Sequence, residues 1–224
     1  MRSSAFKLIR HLFHLAAGSV PPLLGLLLPR RAVLWFLGLV AALFVVADAT
    51  RLLVPSVNRR LISLFRPAGE AFKSGEAMQP IGSTYLVVAS FLAYRFFPPP
   101  IATASLFFGS VGDALAAIVG ERYGRTRIGK RSLEGSAAFL ASSLAVGSLL
   151  AVAGLPLKRA TLLIGALVAT LAELAPIPVN DNFTVPLLSA SAMLWAAGAE
   201  SGKQGPDASL KRPGRVERLQ AGKK

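Results

Sequence analysis

The chain has 224 residues, of which 53% are hydrophobic and only 16% charged. A soluble domain carries about 25% charged residues, so this deficit, with a mean hydropathy of +0.55, argues against an ordinary soluble protein and for lipid. The absence of cysteine excludes disulfides and thiolate metal sites, and the net charge of +14 fits basic flanks of membrane segments rather than nucleic-acid binding.

The apolar pattern predicts an all-α, polytopic transmembrane helix bundle. About seven segments are expected, at 8–28, 32–54, 81–97, 101–120, 135–154, 160–177 and 183–199. A span needs about 20 residues to cross a ~30 Å hydrocarbon core. Residues 1–199 read as one membrane domain and 200–224 as a basic, disordered tail.

In the first segment His11 and His14 share a face with Arg10, and Pro21-Pro22 predicts a kink or a partly re-entrant stretch. The histidines suit a substrate or phosphate contact better than zinc, for which no third strong ligand stands out. The second segment is clean apart from Asp48 and Arg51, spaced i,i+3 to pair at the interface. The polar loop 55–80 offers Glu70, Lys73 and Glu76 as candidates for contacts to a nucleotide base.

The fourth segment carries Asp113 on a stripe of Ser105, Gly109 and Ala117. Small residues let helices pack closely in lipid, so Asp113 is expected to face the protein interior. A carboxylate there costs roughly 2.5–3.5 kcal/mol on insertion scales and is a functional-site candidate. Next comes a basic, glycine-rich loop with Arg122, Arg125, Arg127, Lys130 and Arg131. Gly124-x-x-x-x-Gly129-Lys130 matches the first seven positions of a P-loop, but Arg131 stands where Ser or Thr is needed and a membrane helix precedes instead of a strand. The cations are still suited to a triphosphate.

Glu134, Glu173 and Asp181 join Asp113 as acids at helix ends. Mg²⁺ in nucleotide enzymes is held by one or two carboxylates plus phosphate oxygens, which makes Asp113, Glu134, Glu173 and Asp181 the candidate metal ligands. Asn180 and Asn182 flank Asp181, either as a helix cap or to hold a carboxylate or a substrate hydroxyl.

With the N-terminus inside and seven crossings, the cytoplasmic side receives Arg2, Lys7, Arg10, Arg51, Arg59, Arg60, Arg66, Lys73, Arg122, Arg125, Arg127, Lys130 and Arg131. Before the tail, only Arg30, Arg31, Arg95, Lys158 and Arg159 fall outside, as the positive-inside rule requires. The basic tail then falls outside, against the rule.

Four pieces in this order resemble the CTP-dependent lipid-alcohol kinases: dolichol kinase, yeast-type diacylglycerol kinase and phytol kinase. They are Arg10-His11-x-x-His14-x-x-x-Gly18, Gly112-Asp113-x-x-Ala116-x-x-x-Gly120-x-x-x-Gly124, Gly129-Lys130-Arg131-Ser132-Leu133-Glu134-Gly135-Ser136, and Glu173 followed by Asn180-Asp181-Asn182-Phe183-Thr184-x-Pro186. The resemblance spans about residues 10–190. It implies a multi-pass enzyme of a bacterial-type cell membrane, with a cytoplasmic site that moves the γ-phosphoryl group of CTP, or another nucleoside triphosphate, to a membrane lipid alcohol with Mg²⁺. On this reading Gly112, Arg125, Arg127, Gly129, Lys130, Arg131, Ser132 and Asn182 hold the nucleotide. Asp113, Lys130, Glu134 and Asp181 carry the chemistry, and Arg10, His11, His14 and Asn180 are contacts to substrate or phosphate. Phosphatidate cytidylyltransferases look distantly similar, but their later Pro-Gly-His-Gly-Gly-x-x-Asp-Arg pattern does not occur here. A transporter or scaffold with acids on an ion path is the non-enzymatic alternative.

Overall fold

The computed structural model describes residues 2–58, 60 and 79–203, with side chains between 8 and 199. The assignments of Arg59, Arg66 and Lys73, the base-contact candidates Glu70, Lys73 and Glu76, and the disorder expected beyond 203 lie outside the described residues.

Seven helices and one small hairpin make up most of the described chain, and residues 55–58 are helical as well. They are α1 (Arg2–Leu27), α2 (Arg30–Leu53), α3 (Gly82–Phe96), α4 (Pro99–Tyr123), β1 (Arg127–Ile128), β2 (Arg131–Ser132), α5 (Leu133–Val152), α6 (Arg159–Leu174) and α7 (Asp181–Lys203). The all-α expectation holds, and each apolar segment has become one helix. Three of them, α2, α4 and α5, are both long and apolar enough to cross a membrane. At 15 and 16 residues, α3 and α6 are shorter; at 1.5 Å per residue each rises roughly 23–24 Å, less than a ~30 Å core.

Two expectations change locally. α1 runs unbroken through Pro21-Pro22, and Pro22 is fully buried. The prolines leave the Ala17 and Gly18 carbonyls without their helical donors; Tyr94 Oη packs against the same turn, 3.5 Å from the Pro21 carbonyl and 2.9 Å from Thr103 Oγ1. The Pro98-Pro99-Pro100 run, which falls between the expected segments 81–97 and 101–120, belongs to the start of the next helix. Pro99 and Pro100 open α4, where an absent N–H costs nothing and φ is already helical.

α4 is the central helix and touches α1, α3, α5, α6 and α7. Phe108 and Phe139 are fully buried in the main core with Ile101, Leu162, Ala166 and Met193. A second cluster joins Val33 and Leu37 of α2 to Ala93 and Tyr94 of α3 and Leu106 of α4. Close approach depends on particular glycines. A Cβ on Gly112 would stand 2.6 Å from the Phe139 ring, and one on Gly165 would stand 2.5 Å from Met193. The outer faces are apolar: Trp35, Leu39, Val46, Leu149, Val152 and Trp195 are largely exposed, as expected of side chains that face acyl chains.

Polar contacts gather at one end of the bundle and involve all seven helices. At the opposite end Arg30 donates from Nε to the Tyr94 carbonyl (3.0 Å) and from Nη2 to the Arg95 carbonyl (2.9 Å). These bonds close the C-terminus of α3, whose last carbonyls have no intrahelical donor.

Candidate active site

The site is built around Arg131. In the 127–132 hairpin, Arg127 pairs with Ser132 and Ile128 with Arg131. That register leaves a two-residue turn at Gly129-Lys130, and Gly129 has φ 60°, a conformation glycine adopts without a Cβ penalty. Lys130, Arg127 and Arg125 are exposed around this turn. Arg131 is carried inward on the second strand.

Its guanidinium meets acids from three helices. Nη1 is 2.9 Å from Glu173 Oε1 of α6 and 3.7 Å from Asp113 Oδ1 of α4, and Nη2 binds Asp181 Oδ2 of α7. Glu173, only 3% exposed, also accepts from Ser136 Oγ of α5 at 3.3 Å. Asp113 Oδ2 lies 3.5 Å from His14 Nε2 of α1. One turn outward, His11 Nε2 is 3.3 Å from Glu121 Oε1. A buried carboxylate is costly unless paired and hydrogen-bonded, and here each acid has a cation or a donor.

A second network holds α2 to α3. Asp48 Oδ1 accepts from Arg51 Nε (3.1 Å) and Nη2 (3.0 Å). Its Oδ2 accepts from the Ile81 N–H (2.8 Å) and Thr84 Oγ1 (2.5 Å), satisfying part of the open N-terminus of α3. Arg51 Nη2 also donates to the Gln79 carbonyl at 2.6 Å. Next in the chain, the Gly82 carbonyl accepts from Asn182 Nδ2 at 3.0 Å, beside Asp181. The Asp48–Arg51 pair thus closes a helix junction that adjoins the acid cluster.

Between these groups lies a pocket with two characters. It is lined by His14, Asp113, Glu173, Asp181 and Asn182 and by the apolar Leu86, Leu106, Val185 and Pro186. Gly109 and Ser110 complete the lining.

Several residues expected at the site serve elsewhere. Glu134 does not join the other three acids. Its carboxylate accepts from the Thr126 N–H at 3.1 and 3.3 Å and closes the base of the hairpin loop. Ser132 is buried, accepts from the Gly135 N–H at 3.1 Å and caps α5. Gly120, Gly124 and Gly135 all pack against its hydroxyl. Gly112 is occupied by close packing on Phe139. Asn180 caps α7, its Oδ1 accepting from the Asn182 N–H at 3.0 Å. Arg10 is half-buried on α1, next to His11.

No family model and no solved structure matches the chain. It is 24% identical over 185 residues to the uncharacterized protein RP860 of Rickettsia prowazekii (strain Madrid E). The match covers 81% of this chain and 90% of that protein. Its printed name states no activity, so none passes from it to this chain.

A divalent cation was expected on Asp113, Glu134, Glu173 and Asp181. Carboxylates are the right donors for Mg²⁺, but this arrangement does not fit one. Glu134 points into the hairpin loop, and the other three converge on a guanidinium. Among the described residues no three His, Asp or Glu side chains are grouped to hold a metal. Sequence reasoning did not assign Ser136 or Glu121 to the site. Ser136 is one of several small residues at the start of α5, and only the approach of α6 reveals its partner.

Proposed function

We propose that this protein is an integral membrane kinase that transfers the γ-phosphoryl group of a nucleoside triphosphate, CTP by the family resemblance, to the hydroxyl of a membrane lipid alcohol. The observation that carries this reading is the pocket, which acids and apolar side chains line together beside a hairpin of exposed cations. An amphiphilic alcohol needs both kinds of lining. A triphosphate needs cations reachable from water.

In this mechanism Lys130, Arg125 and Arg127 draw the triphosphate to the hairpin turn. The acceptor chain lies against Leu86, Leu106, Val185 and Pro186, which brings its hydroxyl to Asp113. The hydroxyl oxygen attacks the γ-phosphorus, the bond to the nucleoside diphosphate breaks, and the proton passes to Asp113 beside His14. Such transfers depend mainly on positioning and on fixed charge around the phosphoryl group. The topology that belongs to this reading has all seven helices crossing a bacterial-type cell membrane, with the N-terminus and the site on the cytoplasmic face.

The assay uses purified protein in lipid nanodiscs with γ-labelled CTP, ATP, GTP or UTP, and diacylglycerol, a polyprenol or phytol as acceptor. Labelled lipid phosphate and nucleoside diphosphate are expected with one donor–acceptor pair. Pyrophosphate release would instead identify nucleotidyl transfer, and no lipid product with any pair would sink the proposal.

A further inference from the structure

We infer that Arg131 is the resident cation of the Asp113–Glu173–Asp181 cluster, and that it and a divalent metal ion exclude one another there. The inference concerns the site of the proposed reaction but rests on ion-pair geometry alone. Asp113, Glu173 and Asp181 come from α4, α6 and α7, and each gives one oxygen to the same guanidinium. Two further oxygens are also engaged, since Asp113 Oδ2 faces His14 and Glu173 Oε2 accepts from Ser136. A protein-held Mg²⁺ takes oxygens at about 2.0–2.1 Å in a near-octahedral shell. To reach that shell, oxygens now spread around a planar group several ångströms wide must close onto one point. The guanidinium has to leave first.

Arginine also suits the task. Its charge is permanent and its fork spans several carboxylates, whereas a lysine offers a single point charge. The hairpin divides the work accordingly. Lys130 at the turn stays exposed, while Arg131, one residue on, is committed to the acids and acts as a positioning residue. A divalent ion that accompanies a triphosphate is then held by phosphate oxygens, not by this cluster.

Mn²⁺ binding to the nucleotide-free protein in nanodiscs, read by electron paramagnetic resonance, tests this without any activity measurement. Wild type and Asp113→Asn are expected to show the same Mn²⁺ titration. Arg131→Gln is expected to gain one bound Mn²⁺, and adding Asp113→Asn to it removes that ion. A wild-type Mn²⁺ signal abolished by Asp113→Asn overturns the inference, as does an Arg131→Gln protein that gains no ion. Should Arg131→Gln fail to fold, the comparison of wild type with Asp113→Asn still decides. Lipid phosphorylation is a separate readout, so the kinase proposal and this inference fail independently.

Discussion

Asp48 shows how much one buried side chain can hold. It accepts four hydrogen bonds, two from Arg51 and two from the first turn of α3, and both members of the ion pair are nearly inaccessible to water. Removing one partner of a buried pair leaves an uncompensated charge and costs about 3–5 kcal/mol. Asp48→Ala should therefore lower the thermal unfolding midpoint in detergent markedly. Asp48→Asn can still accept from Ile81 and Thr84 and should cost less. Equal losses from both variants would show that the charge, not the hydrogen bonding, closes the junction. Lys130 lies at the other extreme, exposed and with no structural duty at the turn. Lys130→Ala should leave the unfolding midpoint unchanged and raise KM for the nucleotide in the kinase assay. A shifted midpoint would make it a structural residue instead.

At the scale of elements, α4 and α5 pack through a glycine facing a ring. Gly112→Ala places a methyl against Phe139, and overpacking of this kind costs about 1–3 kcal/mol. The expected result is a lower midpoint for Gly112→Ala, partly restored by Phe139→Leu, which vacates the space. Purely additive losses in the double variant would contradict the contact, because touching residues couple. The elements also show what a periodic pattern can and cannot reveal. The seven apolar runs marked these helices to within six residues at each end, since burying or immersing a 15–26-residue helix in lipid requires a continuous apolar surface. The hairpin at 127–132 gave no such signal. Its strands are only two residues long, too short for an alternating pattern to show. The continuity of α1 through Pro21-Pro22 was equally hidden, because a proline pair within an apolar run reads as a break.

For the whole molecule, the polar network ties all seven helices together at one end, and the cysteine-free sequence makes its orientation directly measurable. Single Lys130→Cys and Pro156→Cys variants place a thiol near opposite ends of the bundle. With a membrane-impermeant maleimide, Lys130→Cys should label only from the cytoplasmic face and Pro156→Cys only from outside. Reversed labelling would overturn the proposed orientation, and labelling of both from one face would overturn the crossing of α5.

By itself the sequence determined the helical class of the molecule and which of its acids call for partners. Charge depletion and long apolar runs dictate a helical bundle, and Asp113, Glu173 and Asp181 stand out because an acid in an apolar helix needs a partner. Only the tertiary structure decided who the partners are. Arg131, one of five similar cations in its loop, is singled out by a hairpin register that turns it inward while Lys130 and Arg127 stay in water. Glu134 leaves the cluster because the Thr126 N–H lies within its reach, and Ser132 becomes a buried cap because three glycines close over it. Such pairings are set by distances between helices far apart in the chain, and residue type and spacing along the sequence do not encode them.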